Sequence, residues 1–377
     1  MNSVSGGVFL VSVLFVVYVV LGYPALLAVW RRRAPAPSRA TGEERVISVI
    51  LPVRNGERWI RRKLESLLNQ TYPRERVEIL VVSDGSTDRT EEAVREFGEA
   101  VRLLCIPPAG KWASINCALA QARGELLFFT DVRQTLDAHC LSVLASYFSD
   151  PSVGVVSGEL VIRRGDTTEK ESVGLYWEYE KWIRKQHSQI DSVLGATGAI
   201  YMMRRVLASP LPPDTLLDDV HLPFQAFFRG YRLLLTEEAR AYDEPVALEA
   251  EFRRKVRTLA GVYQLIGQFP ALLGPRNRMW IHFLSHKFAR LLLPYALAAM
   301  AVSSFFLGPF WSPLAVAGQA LFYGLALIDP WVPRRLALKR LSSMARLFVT
   351  LMAAALCAAS ILFRRSKDFW GSPTTTA

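Results

Sequence analysis

Val46-Ile-Ser-Val-Ile-Leu-Pro52 and Val77-Glu-Ile-Leu-Val-Val-Ser-Asp84 are near-continuous apolar runs of strand length. Between them lies an amphipathic stretch, Glu57 to Asn69, with apolar positions at Ile60, Leu64, Leu67 and Leu68. Apolar runs without alternation belong to strands buried on both faces, and a helix-period stretch between two of them supplies cover for one face. The pattern then repeats. Gly85-Ser-Thr-Asp88 leads into a polar helix ending near Phe97, and Val101-Arg-Leu-Leu-Cys-Ile106 is a third strand. Lys111 to Arg123 is a third helix, and Glu125-Leu-Leu-Phe-Phe-Thr-Asp131 is a fourth strand ending on a carboxylate. This alternation predicts an α/β fold with a parallel, doubly wound sheet, in which ligands bind beyond the carboxyl ends of the strands. Asn55, Asp84 and Asp131 fall at or just past such ends, so one shared cleft is expected.

Further along, Val153 to Ile162 reads as another strand, followed by a helix rich in aromatics (Tyr176, Trp177, Tyr179, Trp182). Those rings could stack on a sugar or pack against core or membrane. Gly195-Ala-Thr-Gly-Ala-Ile-Tyr-Met-Met-Arg-Arg205 places two glycines ahead of an apolar strand, as a close approach to a ligand or a plain hairpin turn would require. Asp218 and Asp219 then stand at the entrance to an apolar, helix-length run that stops at Gly230. One reading makes Asp218 an N-cap and Asp219 a solvated first-turn residue. The other makes one of them a general base, with helix amides favouring its charge.

Composition bounds what surrounds this cleft. With 377 residues, 51% of them hydrophobic, the chain fits a soluble domain joined to a few membrane helices. Its formal net charge of +11 suits phosphates or anionic headgroups. The basic residues cluster beside apolar spans rather than along an aromatic-interleaved face, which argues against nucleic acid. The four cysteines show no metal or disulfide spacing, as expected for a reducing compartment.

Residues Gly7 to Trp30 carry no charge and are long enough to cross a bilayer. No basic stretch precedes them, unlike a cleaved signal peptide. Arg31-Arg-Arg33 follows, placing the next domain in the cytoplasm, and Ala34 to Gly42 reads as a linker. Beyond the basic run Phe252 to Arg257, Leu259 to Leu273 has the character of an interfacial helix. Leu291 to Ile328 is uncharged and too long for one span; Gly308-Pro309 and Ser312-Pro313 offer a turn between two. Leu347 to Phe363 is a fourth, shorter span. Four spans put both termini outside, whereas Arg364-Arg-Ser-Lys367 favours an inside tail. The expected organisation is an anchor at 1–33, a cytoplasmic domain at 44–250, an interfacial segment at 251–285 and membrane helices with a tail at 286–377. His282 and His286 are spaced to share a helix face, with headgroup-level packing expected because no third ligand is apparent.

In these residues the chain resembles the membrane-bound family 2 glycosyltransferases, the group that includes cellulose, chitin and hyaluronan synthases. The resemblance covers roughly Ile47 to Gly261. Leu51-Pro-Val-Arg-Asn-Gly-Glu57 looks like the first nucleotide-contacting loop, implying contacts from Pro52, Asn55 and Glu57. Ser83-Asp-Gly-Ser-Thr-Asp88 looks like the second, with Asp84 near base and ribose. Gly110-Lys-Trp-Ala-Ser-Ile-Asn116 resembles the segment whose lysine, here Lys111, helps hold the donor. Thr130-Asp131 occupies the place of the metal-binding Asp-x-Asp motif, and Leu217-Asp-Asp219 that of the catalytic carboxylate, Asp219 being the base and Asp218 its neighbour. The resemblance implies a Rossmann-like, GT-A type domain. It also implies inverting transfer of a hexose-type sugar from a nucleotide diphosphate sugar, expected to be uridine-linked, with Mg2+ or Mn2+ on Asp131. The chemistry agrees: a diphosphate leaving group needs cations beside it, and an attacking hydroxyl needs a carboxylate to take its proton.

Two positions depart from the pattern. Arg133 stands where the second acid of Asp-x-Asp is expected and cannot bind metal. It could pair with phosphate, leave a metal to Asp131 and waters, or face solvent. The Gln-x-x-Arg-Trp motif of processive synthases is replaced by Arg254-Lys-Val-Arg257-Thr258, which keeps Arg257 as a diphosphate contact and loses the tryptophan that holds a growing polymer. Single transfer to a lipid-linked or saccharide acceptor at the inner membrane, in exopolysaccharide or glycolipid synthesis, is therefore expected. The alternatives are a processive synthase with an altered gate and a silent nucleotide-sugar-binding scaffold.

Overall fold

A computed structural model of the protein describes residues 3–30, 33–40, 44–162, 168–244, 248–333, 335–364 and 366–369. Arg31, Arg32, Arg334 and Arg365, on which the charge-based orientation partly rests, lie outside the described residues, as do Thr41 and Gly42 of the expected linker. The chain forms two compact units, one of residues 1–31, 164–183 and 245–371, the other chiefly of residues 32–163 and 184–244.

The second unit holds an eight-stranded mixed sheet. Its strands are β1 (Ile47–Val53), β2 (Val77–Asp84), β3 (Arg102–Ile106), β4 (Leu126–Phe129), β5 (Thr135–Leu136), β6 (Val153–Ile162), β7 (Tyr201–Arg204) and β8 (Arg232–Asp243), in the order β3-β2-β1-β4-β7-β6-β8-β5. The first four are parallel, as the alternating sequence requires. Beyond them the sheet departs from the expected parallel form, because β7 pairs antiparallel with both β4 and β6. The chain reaches β7 through a long helix and a glycine turn rather than a short crossover, so nothing constrains it to run parallel.

Burial explains the apolar strands. Ile47, Val49, Leu51 and Val53 of β1 join one core with Ile60, Leu64 and Leu67 of the Glu57–Leu68 helix and with Leu141 and Leu144 of the Cys140–Ser146 helix. The Lys111–Gln121 helix also packs on β1 and β2. Pro52 costs the ladder little. Ile50 accepts from the Thr130 amide, and Pro52, two residues on, turns to the same side, past the end of β4. Because β1 to β4 run the same way, the loops after them gather at one edge of the sheet.

The first unit is helical. Three of its helices, Val4–Val29, Trp311–Trp331 and Leu338–Leu362, are long and apolar enough to cross a membrane. The first contains a π-helical segment, Tyr18–Gly22, just ahead of Pro24. A proline lacks the N–H for the preceding turn and crowds its carbonyl, and a widened turn relieves both. The expected pair of spans between Leu291 and Ile328 separates after the Ala289–Ser304 helix, which at 16 residues is shorter than the other three. The last span starts at Leu338, not Leu347, taking in Lys339 and Arg340 from the basic loop.

Candidate functional site

At the gathered strand ends, Lys111 is the central side chain. It is the first residue of its helix, and its ammonium lies 3.0 Å from Asp131 Oδ1 and 3.1 Å from Asp218 Oδ2. Burial alone would lower its pKa, but the carboxylates of Asp131, Asp218 and Asp219 overcome this and hold its proton well above the usual lysine range. The loop that carries it is fixed by Asp84, whose Oδ1 accepts from the amides of Ala109 (2.7 Å) and Gly110 (3.1 Å). Asp84 thus ends β2 almost fully buried and sets the entry to the lysine helix.

Asp218 and Asp219 occupy the first turn of the Asp218–Phe228 helix, with Leu217, not Asp218, at the N-cap position. The two glycines ahead of β7 hold this turn from outside. Gly195 adopts φ +130°, where a side chain would be strained, and a Cβ there would meet Val220 at 2.8 Å. A Cβ on Gly198 would come 3.1 Å from Asp219 Oδ2, and the Ala196 amide donates to the Asp219 carbonyl at 2.8 Å. Both glycines therefore serve close approach, Gly195 to Val220 and Gly198 to the Asp219 side chain.

The first loop is tied to the second. Asn55, at φ +52°, accepts from the Thr87 amide at 2.8 Å, and its own amide donates to Ser86 Oγ at 3.1 Å. Glu57 begins its helix with its amide on Asp88 Oδ2 at 3.0 Å, while its carboxylate accepts from the Arg89 amide. Arg133 is exposed, with 40% of its side chain accessible, but it is not left to solvent alone. It pairs with Asp243 at the end of β8, a buried carboxylate that also accepts from Gln134 Nε2 at 2.8 Å. Arg257 lies on the Leu248–Gln268 helix of the other unit.

Two residues at the cleft carried no weight in the sequence. Lys63 is fully buried beneath Thr130-Asp131, donating to Thr130 Oγ1 at 2.6 Å and to the Gln134 carbonyl at 2.8 Å. Its position three residues after Ile60 and four before Leu67, on the apolar stripe of its helix, is a signal that could have found it. Tyr201, also fully buried, stacks on Phe129 with ring centres 4.6 Å apart. Burial and then the nearby Asp218, Asp219 and Asp131 push its phenol well above the usual range, and its hydroxyl has no hydrogen-bond partner among the described residues.

The aromatic helix and the histidines belong to the other unit. Lys255 lies over the rings of Tyr176 and Trp177, at 4.6 and 5.2 Å, and Arg254 over Trp177 at 4.8 Å. His282 bonds Tyr23 and His286 faces Glu180, so the pair does not converge on one point. Among the described residues no three His, Cys, Asp or Glu side chains, the carboxylates around Lys111 included, are arranged to hold a metal ion by themselves.

Comparison with known proteins decides the family. The model for "Glycosyl transferase family 2" matches residues 48–210, and that for "Glycosyl transferase family group 2" matches residues 131–362, more than half of the chain. The chain is a family 2 glycosyltransferase. Among relatives of this glycosyltransferase is the probable glycosyltransferase YdaM of Bacillus subtilis, 26% identical over 254 residues, which make up 63% of this chain and 60% of YdaM. Glycosyltransferase AglE of Haloferax volcanii is 29% identical over 224 residues, 55% of this chain and 71% of AglE. The match thus spans about three fifths to seven tenths of the length of these relatives. Among solved structures, the mannosyltransferase PcManGT from Pyrobaculum calidifontis aligns over 95% of this chain and 99% of its own, with a TM-score of 0.73 and 23% identity. That likeness is one of fold. The mixed sheet with its cleft at the parallel strand ends is of the GT-A type.

Proposed function

We propose that the protein is an inverting glycosyltransferase that moves a sugar from a nucleotide diphosphate sugar to a lipid-linked acceptor delivered at the membrane surface. The observation that carries this reading is the cluster of Asp131, Asp218 and Asp219 around Lys111 at the strand ends. An ammonium clasped by carboxylates is a cation ready to turn toward an arriving diphosphate. Asp219, in the first turn of its helix and only half-buried, is the general base that takes the proton of the acceptor hydroxyl. Asp218, buried against Lys111, holds that lysine rather than acting as the base. Asn55, Glu57 and Asp84 brace the nucleotide loops through the backbone bonds described above.

The relative from Pyrobaculum calidifontis was solved with GDP-Man and Mn2+, which supports a nucleotide-sugar donor and a divalent cation in this fold. The donor set here fits such an ion in its sparest form. Magnesium and manganese sites at phosphates commonly use one or two protein carboxylates, and Asp131 supplies one. When bound, the ion would neutralise charge on the diphosphate leaving group. Arg133, committed to Asp243, would support the Asp131 loop without binding metal. A domain of residues 44–250 facing the cytoplasm, in an inner-membrane protein, is the setting we assign. The loss of the glutamine and tryptophan around Arg257 favours single addition over polymer synthesis.

The test is transfer of radiolabel in native membranes from a panel of uridine and guanosine diphosphate sugars, with and without Mg2+ or Mn2+. Label is expected in a lipid-extractable product with wild type and not with Asp219→Asn. Equal transfer by Asp219→Asn would remove Asp219 as the base. A full panel without label would remove the transferase reading.

A further inference from the structure

The turn that meets Asp219 has almost no side chains with which to hold itself. Gly195-Ala-Thr-Gly-Ala-Ile200 contains two glycines and two alanines, and Thr197 is its one polar residue. Gly195 sits at φ +130°, and the Ile200 amide closes the turn on the Thr197 carbonyl at 2.8 Å. A segment of this composition has many conformations open to it, because glycine restricts the backbone least. One side of the turn nonetheless lies against Asp219. The Ala196 amide donates to the Asp219 carbonyl, and the bare Gly198 leaves room for the carboxylate. If the turn changed shape, that carboxylate would change place with it.

The other side of the turn is clamped. Arg184, toward the end of the Thr168–Ile190 helix, donates from Nη1 to Thr197 Oγ1 at 2.8 Å. Its Nη2 reaches Ser157 Oγ at 3.3 Å and the Gly195 carbonyl at 3.4 Å. Ser157, fully buried on β6, accepts from the Thr197 amide at 2.9 Å and lies 3.1 Å from Thr197 Oγ1. The planar fork of the guanidinium therefore grips the turn at two residues, Gly195 and Thr197, and ties both to the sheet. Arg184, Ser157, the turn and Asp219 all belong to the sheet-bearing unit.

We propose that Arg184 is a positioning residue for the transfer: it sets the shape of the 195–200 turn and, through the turn, the place of the Asp219 carboxylate. The proposal rests on the reading of Asp219 as the general base, and it gives Arg184 no contact with substrate. A clamp of this kind acts on the reacting group and not on the affinity for the donor. Its loss is therefore read in kcat and not in the donor KM.

Full-length protein in native membranes is assayed with the uridine or guanosine diphosphate sugar that labels product in the panel above, with rates divided by the amount of folded protein. Arg184→Met is expected to lose about 10-fold in kcat, as a shift of about half an ångström gives on a scale of about 10²-fold per ångström, at unchanged donor KM. Thr197→Val keeps the shape of its side chain but cannot accept from the guanidinium. It is expected to lose kcat in the same way, and it replaces Arg184→Met if that variant does not fold. Gly198→Ala displaces the same carboxylate, so combining it with Arg184→Met should cost less than the product of the two single losses, whereas independent roles multiply. Unchanged kcat in both Arg184→Met and Thr197→Val would overturn the proposal, as would a donor KM that rises with the loss or losses that multiply in the double variant. Asp219→Asn is run beside them to keep the two readings apart. An inactive Asp219→Asn with full-rate Arg184 and Thr197 variants sinks the clamp and leaves the base in place. Transfer by Asp219→Asn equal to wild type removes the base, and the clamp with it.

Discussion

Two buried polar clusters in this protein are built on opposite ratios. In the cleft, one ammonium, Lys111, stands between two carboxylates, with a third close enough to help hold its proton. In the helical unit, one carboxylate is surrounded by donors. Asp329 Oδ1 accepts from Lys339 Nζ at 3.0 Å, Ser342 Oγ at 2.6 Å and Ser343 Oγ at 2.9 Å, while Arg346 approaches its other oxygen at 3.4 Å. The second arrangement staples the turn between two spans, and rearranging it gains nothing. The first has acceptors in excess around a cation, so it changes partners when a charged ligand arrives. A buried charge cluster is therefore read by its ratio of donors to acceptors, not by its presence.

The largest test of this contrast sets Asp219→Asn beside Asp329→Ala. Loss of a general base costs roughly 10²–10⁴-fold in turnover, and Asp219→Asn is expected to show that loss at an unchanged unfolding temperature. Removing one partner of a buried ion pair costs about 3–5 kcal/mol of stability. Asp329→Ala is expected to lose stability on that scale, because Lys339 is left buried without its carboxylate, while the folded fraction turns over normally. Initial rates normalised to folded protein, with thermal unfolding in the same detergent, decide it. If Asp219→Asn unfolds as early as Asp329→Ala, the two clusters are of one kind and the contrast fails.

A smaller effect sharpens the cleft side. The Tyr201 hydroxyl is buried and without a hydrogen-bond partner among the described residues, and such a group costs stability unless a ligand uses it. Tyr201→Phe keeps the stack on Phe129 and is expected to leave unfolding unchanged or raise it, while kcat falls about 10-fold, the value of one hydrogen bond to a charged partner. Unchanged kcat together with higher stability would make the hydroxyl a packing accident.

How far the cleft was legible in the sequence follows from the distance over which each signal acts. β1, β2 and the first half of β6 declare themselves because burial on both faces leaves a near-continuous apolar run. β8, Arg232 to Asp243, does not declare itself as a strand: Glu237, Glu238 and Arg240 interrupt the apolar pattern, and its pairing with β6 slips in register after Ser157. Asp131 and Asp219 are marked by local motifs. The partner of Arg133 is not, since Asp243 is 110 residues away and only the closed sheet brings them together. The glycines Gly195 and Gly198 were visible, but what they approach was not, because Asp219 and Val220 reach them through the fold.

Lys63 is a residue of this long-range kind, and its charge gives a pH test. Burial pushes it down to about 7, with nearby Asp131 opposing and the Cys140 thiol, itself pushed up to about 12, staying protonated. An unfolded lysine titrates near about 10.4. Between pH 7 and that value the unfolded chain holds a proton that the folded chain has released, so Lys63 makes stability rise with pH; below pH 7 both states are charged and its burial cost is constant. The unfolding temperature of wild type is therefore expected to gain on that of Lys63→Met from pH 7 to 9. Parallel profiles would mean that Lys63 stays charged in the folded protein.

The smallest expected effect is the most local. Gly198 lies outside the left-handed region, so Gly198→Ala strains no backbone by itself, and the nearest new neighbour is the Asp219 side chain, with Oδ2 at 3.1 Å and Cβ and Cγ at 3.5 Å. That carboxylate is half-exposed and can turn by a few tenths of an ångström, so stability should hold. A displaced base is less forgiving, because reaction rates fall steeply with misplacement of a reacting group, about 10²-fold for 1 Å. A shift of a few tenths predicts a loss of roughly 3-fold in kcat with KM for the donor unchanged. Asp329 offers no such lever: its donors close on it from every side, and a small push there is read in stability. If Gly198→Ala shifts the unfolding temperature and leaves kcat alone, Asp219 is packed as tightly as Asp329, and its place in the chemistry passes to Asp218.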